Sequence, residues 1–366
     1  MKPTDIKSLI DVLETQRNLS KADWVTLIRD HTPQDATYLF ERARAIRKLY
    51  YGDAVYLRGL IEFTNYCRND CYYCGIRGSN RKVSRYRLSE EQILQCCETG
   101  YQLGFRSFVL QGGEDPFFTE ERIVSIVRSI RKNYPDCAIT LSIGEKPFES
   151  YLAYYQAGAD RYLLRHETAN EEHYGKLHPS SLTLKNRKRC LQDLASIGYQ
   201  VGTGFMVGSP YQTPENLAED MLFIADLHPQ MVGIGPFIPH CETPFANENS
   251  GTMDLTVFMI GVLRLTLPMS LIPATTALGT IHSFGREYGL LAGANVVMPN
   301  LSPVEVRKKY ALYDNKICTG EEAAECRHCI EKRINRIGYK VVVNRGDPAS
   351  SQFLVQGTGT TFCTKS

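Results

Sequence analysis

The chain has 366 residues, with 42 Lys and Arg against 40 Asp and Glu and a formal net charge of +2. That balance offers no basic field to nucleic acid. Hydrophobic residues at 43% and charged residues at 22% describe a globular protein with a sizeable core rather than a disordered chain. The opening MKPTDIKSLI lacks the apolar core of a secretory signal. The longest apolar stretch, 255–274, is interrupted by Arg264, Pro268 and Pro273, so it reads as a helix followed by a buried strand, and no membrane association is expected. Twelve cysteines without a signal point to a reducing, cytoplasmic setting and to metal chemistry.

Residues 1–50 form a polar segment of helical character. Short β-branched apolar runs then recur near 57–63, 107–112, 138–143, 161–166, 200–207, 231–238, 271–276 and 294–299. Helical periodicity separates them, as over 89–103 and 120–133, with Ser89 and Thr119 at helix starts. Eight runs alternating with helices predict an α/β fold, a complete (β/α)8 TIM-type barrel over 51–310. A doubly wound open sheet is the alternative; the absence of a G-x-G-x-x-G loop after the first run argues against it. Residues 311–366 form a C-terminal segment.

Just after the first run stand Cys67, Cys71 and Cys74, spaced C-x3-C-x2-C. Thiolates are soft ligands suited to iron–sulfur clusters. Three of them leave one iron of a [4Fe-4S] cubane open, which suggests chemistry rather than electron storage. A structural zinc site closes with four ligands, and no Cys or His pair follows within the next twenty residues. Cys96, Cys97, Cys137, Cys190, Cys241 and Cys363 lack ligand-like spacing and read as core thiols.

In a barrel, reactive groups gather at the C-terminal strand ends. Those ends carry the three cysteines, Gly112-Gly113-Glu114, Ser142 with Glu145, His166-Glu167-Thr168, Met206, Thr275-Thr276 and Met298-Pro299-Asn300.

The cysteine spacing, with the aromatic Tyr73 before the last cysteine, resembles the radical S-adenosylmethionine (SAM) superfamily. The stretches IEFTNYCRNDCYYCGIR, VLQGGEDP, GADRYLLRHETAN, MVGIGPFIPH and IPATTALGTI resemble, more narrowly, the HydE family of [FeFe]-hydrogenase maturases across about 40–330. The resemblance implies that SAM chelates the open iron and that one electron cleaves it to methionine and a 5′-deoxyadenosyl radical. It implies that the Gly112-Gly113-Glu114 backbone receives the SAM amino group, Glu167 accepts from the ribose hydroxyls and Arg187 binds the carboxylate. Ser142 and Met206 would line the same pocket. The plainer readings are a glycine turn, a helix-capping Glu167 and a solvated Arg187.

Arg165, His166, Thr275 and Thr276 are candidate contacts to a second substrate, with Tyr310 and Tyr313 closing the cavity. His166 reads equally as a core imidazole. The implied substrate is an organometallic iron species carrying CO, cyanide and cysteine, made by HydG, with HydG and HydF as partners in assembly of the hydrogenase H-cluster. The alternatives are a radical SAM mutase or synthase on an organic molecule, like methylornithine synthase or biotin synthase, and a noncatalytic cluster carrier.

Cys318, Cys326 and Cys329 follow the spacing C-x7-C-x2-C. This resembles the auxiliary-cluster pattern, often [2Fe-2S], of some HydE proteins. Zinc held with His328 is the competing reading, and no metal at all is the third. The tail from 337 is rich in Ser, Thr and Gly towards its end and is expected to cross the barrel bottom or to stay partly mobile.

Overall fold

The computed structural model describes residues 5–319 and 327–349. Three helices come first, Ile6–Gln16, Lys21–Asp30 and Pro33–Tyr51. Asp5, Ser20 and Thr32 cap them, each side-chain oxygen accepting a backbone N–H of the first turn. Pro33 at the start of the third helix removes a donor that would have no partner there. This helix packs on the helix Met253–Thr266, in which every residue from Thr256 to Thr266 is buried. Burial on all sides explains the apolar stretch at 255–274. No described helix is long and apolar enough to cross a membrane.

The strands are β1 (Ala54–Leu57), β2 (Gly59–Thr64), β3 (Ser107–Gly112), β4 (Ala138–Ser142), β5 (Arg161–Leu163), β6 (Gln200–Thr203), β7 (Met206–Val207), β8 (Met231–Val232), β9 (Gly235–Pro236), β10 (Val296–Val297) and β11 (Lys340–Val342). A six-stranded parallel sheet has the order β2-β3-β4-β5-β6-β8, with Val109 opposite Thr140 and Tyr162 opposite Val201. All of β2 and most of β3 and β4 are buried, because side chains on one face meet helices and those on the other meet the interior.

The expected complete barrel appears as this six-stranded sheet plus smaller pieces. The run at 271–276 forms no named strand. It makes single parallel bridges, Met231 to Leu271 and Pro273 to Val296, and Leu60 bridges Asn300. Pro273 has no N–H to extend a ladder, and the Asn295 side chain accepts the Ile272 N–H at 2.9 Å instead. The runs at 200–207 and 231–238 are each broken in two. Gly204 (φ +155°) lies so close to Gly233 that a Cβ would sit 1.9 Å from its carbonyl oxygen, too near for a regular ladder.

Two elements outside the expected eight close the opposite end. β1 pairs in parallel with both β10 and β11. Beyond β11, Asp347 accepts from Arg161 Nη2 at 2.7 Å and from Gln200 Nε2 at 3.0 Å, at the starts of β5 and β6. Arg345 pairs with Asp160 at 3.0 Å. The tail therefore packs across the bottom as far as residue 349; Cys363 lies outside the described residues.

Candidate active site

β2 ends at Thr64 and the chain enters the cysteine loop. Asp70 forms an ion pair with Arg77, whose Nε donates at 2.7 Å, and accepts the Ser79 N–H at 3.0 Å. The Arg77 hydrogen bonds hold the Asp70 carboxyl well below the usual carboxylate range. The Arg85 guanidinium ties down the carbonyls of Ile76 (2.8 Å) and Arg77 (2.7 Å). Outside anchors are the Leu177 carbonyl, accepting from Tyr72 N–H at 3.0 Å, and the Leu312 carbonyl, accepting from Gly75 N–H at 2.8 Å. The loop is thus held in shape by its own polar groups.

Cys67, Cys71 and Cys74 are free and half-buried. Burial raises all three thiols, Cys71 to about 12. Among the described residues, the one His/Cys/Asp/Glu trio with ligand atoms all within 4.8 Å of one another is His240, Cys241 and Asp314. The loop sulfurs are spread more widely than a single ion accepts. Three soft thiol donors suit an iron–sulfur cluster.

The β3 end supports the loop from below. A Cβ on Gly113 would lie 2.2 Å from the Tyr66 oxygen and 2.7 Å from Cys67 Cβ. The Glu114 N–H points at Cys67 Sγ (3.4 Å). The Glu114 carboxylate accepts the Glu145 N–H at 2.9 Å and pairs with Arg68 at 3.0 Å. Glu114 therefore ties the cysteine loop to the end of β4.

Beside the loop opens a cavity of about 340 Å³. Of the residues singled out in the sequence, Tyr73, Cys74, Gly112, Ser142, Arg165, Glu167, Arg187, Met206, Thr275, Thr276, Met298, Tyr310 and Tyr313 line it. Cys67, Cys71, Gly113 and Glu114 do not. The Tyr73 hydroxyl lies 3.1 Å from His178 Nε2. His178 Nδ1 faces the Tyr174 carbonyl at 3.0 Å, and burial lowers the imidazole to about 3. The neutral ring thus carries its proton on Nδ1, and Nε2 accepts from Tyr73. Met206 packs with Leu177, Phe237 and Phe245 into an apolar wall.

Arg165 Nη2 is 3.1 Å from Glu167 Oε2. Arg187 Nη1 donates to the Arg165 carbonyl at 3.1 Å, and its Nε is 2.7 Å from Glu145 Oε1. Burial works against the Arg187 charge, but Tyr174 and Glu145 outweigh it and raise the group further. Glu167 has φ +64°, a left-handed conformation costing a non-glycine residue about 1–3 kcal/mol.

His166 does not reach the cavity. With Arg165 and Glu167 facing inward, the intervening side chain turns to the helix side. There Nδ1 meets Thr203 Oγ1 at 2.8 Å and Nε2 meets Asp220 Oδ1 at 3.2 Å. It is a buried core imidazole, lowered to about 3 by burial. Thr275 is partly spent as a helix cap, Oγ1 accepting from Leu278 N–H at 3.4 Å.

Four lining residues with polar side chains escaped the sequence reading: Arg58, Glu62, Gln111 and Lys316. Lys316 Nζ is 2.5 Å from Glu62 Oε1, and Asn300 Nδ2 is 2.8 Å from Glu62 Oε2. Gln111 Nε2 donates to Tyr310 Oη at 3.3 Å. A signal existed for two of them: Arg58, Leu60 and Glu62 alternate within an apolar run and so share a face.

The second cysteine group is only partly described. Cys318 is buried, with Arg286 Nη2 3.2 Å from its sulfur and 3.4 Å from Thr276 Oγ1. Cys329 is exposed on the helix Arg327–Arg336. Cys326 lies outside the described residues.

A parallel α/β sheet with three cysteines at one rim and a cavity beside them defines the radical SAM class, and the model of the radical SAM superfamily matches residues 61–224. The [FeFe] hydrogenase maturase subunit HydE of Thermotoga maritima is 48% identical over 82% of this chain and 86% of that protein. The 3-methylornithine synthase of Methanosarcina acetivorans is 31% identical over 88% of this chain and 90% of that protein. A crystal structure of HydG, a maturase of the [FeFe]-hydrogenase, shares the fold with TM-score 0.78 at 18% identity, covering 94% of this chain and 77% of that one. The chain belongs to the radical SAM superfamily and, within it, to the HydE family of hydrogenase maturases.

Proposed function

We propose that this enzyme acts on an iron–CO–cyanide–cysteine precursor, supplied by HydG, during assembly of the hydrogenase H-cluster, with HydG and HydF as partners. The observation that carries the reading is the convergence of Cys74, Glu167 and Arg187 on one cavity, in a chain 48% identical to HydE.

The residues divide the work by position. Cys67, Cys71 and Cys74 would hold a [4Fe-4S] cluster with one iron open. When bound, that cluster supplies the electron that cleaves SAM to methionine and a 5′-deoxyadenosyl radical. Of the Gly112-Gly113-Glu114 turn, the Gly112 backbone lines the cavity and receives the amino group, Arg187 takes the carboxylate by charge-assisted hydrogen bonds, and Glu167 accepts from the ribose hydroxyls. Ser142 flanks the cofactor, and the wall around Met206 excludes water from it. Thr275, Thr276, Arg165, Tyr310 and Tyr313, with Glu62 and Lys316, face the second substrate. The bridges at Leu271, Pro273 and Asn300 support closure of the sheet into a full barrel. Cys318, Cys326 and Cys329 stay candidates for an auxiliary cluster, with zinc or no metal as the alternatives, and any such cluster would be dispensable for the main reaction.

The test is anaerobic EPR of the reconstituted, reduced protein with and without SAM, followed by turnover. A [4Fe-4S]+ signal that changes shape with SAM, lost when Cys67, Cys71 or Cys74 becomes Ala, supports the site. A signal blind to SAM overturns it. The second reading, an organic amino-acid substrate, draws on the 31% identity to 3-methylornithine synthase. Turnover with lysine, and none with the HydG-derived iron species, would establish it instead.

A further inference from the structure

Behind the cavity wall, on the far side of Glu167, lies a sealed polar cluster that makes no contact with the cavity. Asp220, on the helix Pro214–Leu227, is fully buried beside His166, whose other ring nitrogen meets Thr203 Oγ1 at 2.8 Å. Asp220 Oδ1 accepts the Ala169 N–H at 2.5 Å and faces His166 Nε2 at 3.2 Å. The same oxygen thus grips the chain one residue before and two residues after Glu167. Asp220 Oδ2 has no hydrogen-bond partner among the described residues.

A buried carboxyl with one oxygen unpaired is costly to keep, and a plain core position is filled better by leucine. Its usefulness has to lie in what the other oxygen holds. Glu167 itself sits at φ +64°, a conformation that a non-glycine residue keeps only when its surroundings impose it. Two constraints are visible. On the sheet side, Glu167 N–H donates to the Gly204 carbonyl at 3.0 Å, and Met206 N–H donates to the Glu167 carbonyl at 3.4 Å. On the helix side, Asp220 holds the Ala169 N–H, while Lys188 Nζ donates to the Ala169 carbonyl at 3.1 Å. Burial raises the Asp220 carboxyl and lowers His166, so the pair holds its geometry without an isolated buried charge.

We propose that Asp220, acting through the Ala169 N–H and the His166 ring, is the positioning residue that holds Glu167 in its left-handed conformation with the carboxylate aimed into the cavity. This rests on the assignment of Glu167 to the SAM ribose. Asp220 touches neither cofactor nor substrate; it sets the direction of a residue that does.

The experiment measures SAM dissociation constants by EPR titration of the cluster-loaded protein, for the wild type, E167Q, D220L, D220N and the double variant E167Q/D220L, well below each melting temperature. Asn keeps an oxygen for the Ala169 N–H and for His166, whereas Leu keeps the volume and loses both. D220L is expected to weaken SAM about tenfold, D220N to stay within twofold of wild type, and the double variant to be no weaker than E167Q. The [4Fe-4S]+ signal without SAM should be unchanged in D220L. Additive losses in the double variant, or a D220L that melts earlier but binds SAM normally, would reduce Asp220 to a core residue and overturn the proposal. If E167Q alone leaves SAM binding unchanged, the ribose assignment fails first, and the role of Asp220 falls with it.

Discussion

Arg187 Nε stands 2.7 Å from Glu145 Oε1 inside the cavity wall, the two side chains only 10% and 9% exposed. The pair joins the helix Leu184–Ile197 to the loop after β4, and Asn186 Nδ2 steadies the second Glu145 oxygen at 2.5 Å. Glu145 keeps the guanidinium charged and fixed while Nη1 is engaged by the Arg165 carbonyl. Arg187 also lines the cavity, where the proposed SAM carboxylate would meet it.

Replacing Arg187 by Ala is therefore expected to weaken SAM binding by about 1.5–3 kcal/mol, the range for a lost hydrogen bond to a charged group. The dissociation constant read from EPR titration checks it. An unchanged constant would remove Arg187 from the cofactor site.

Gly113→Ala places a methyl 2.2 Å from the Tyr66 oxygen, where only the backbone of the cysteine loop can yield. Iron and sulfide bound per chain should fall sharply. Gly175→Ala is the control: nothing lies within 4 Å of that site, and it sits in a helix, where Ala is favoured over Gly by about 1 kcal/mol. Its cluster content should match wild type.

Lys316→Met leaves Glu62 buried with Asn300 as its remaining partner. The expected cost is about 3–5 kcal/mol, as for breaking a buried ion pair by removing one member. The double variant K316M/E62Q should recover much of it, because no uncompensated charge remains. Denaturant unfolding of the single and double variants measures the difference; equal losses would mean that the pair is not coupled.

Asp347 supplies a pH-dependent share of stability. Burial alone would raise its carboxyl, but Arg161, Gln200 and Arg345 outweigh that and hold it at about 2. A folded-state value below the unfolded one, near 3.9, gives stabilisation that is present above about pH 4. It is lost as the pH falls through about 2, and amounts to about 1–2 kcal/mol after allowance for solvent screening. Asp347→Asn should flatten unfolding free energy against pH across that window. An unaltered slope would place the titration elsewhere.

Much of the site was legible because its signals are local. Cys67, Cys71 and Cys74 fall within eight residues of chain, and the Gly112-Gly113-Glu114 turn follows directly on a β-branched run. The helix starts at Ser89 and Thr119 also lie where expected, although only Ser89 makes a side-chain cap. Glu62 and Lys316 were missed because 254 residues separate them, and only packing makes them partners. His166 stayed open between cavity and core because the orientation of one residue after a strand depends on whether its neighbours face in or out. The broken ladder at 271–276 followed from Pro273, and the breaks at 200–207 and 231–238 from the close approach of Gly204 to Gly233.

The sequence by itself determined which residues gather at the rim: three cysteines at fixed spacing, and an alternation of strands and helices that sends the strand ends to one side. Both depend on short-range geometry, the reach of a loop and the period of a strand. Only the tertiary structure decided which charges face one another in the cavity, that the segment around Asp347 neutralises a buried Arg161 at the far end, and that Asp220 grips the chain around Glu167. Those pairings depend on desolvation, which a residue acquires from neighbours distant in the chain.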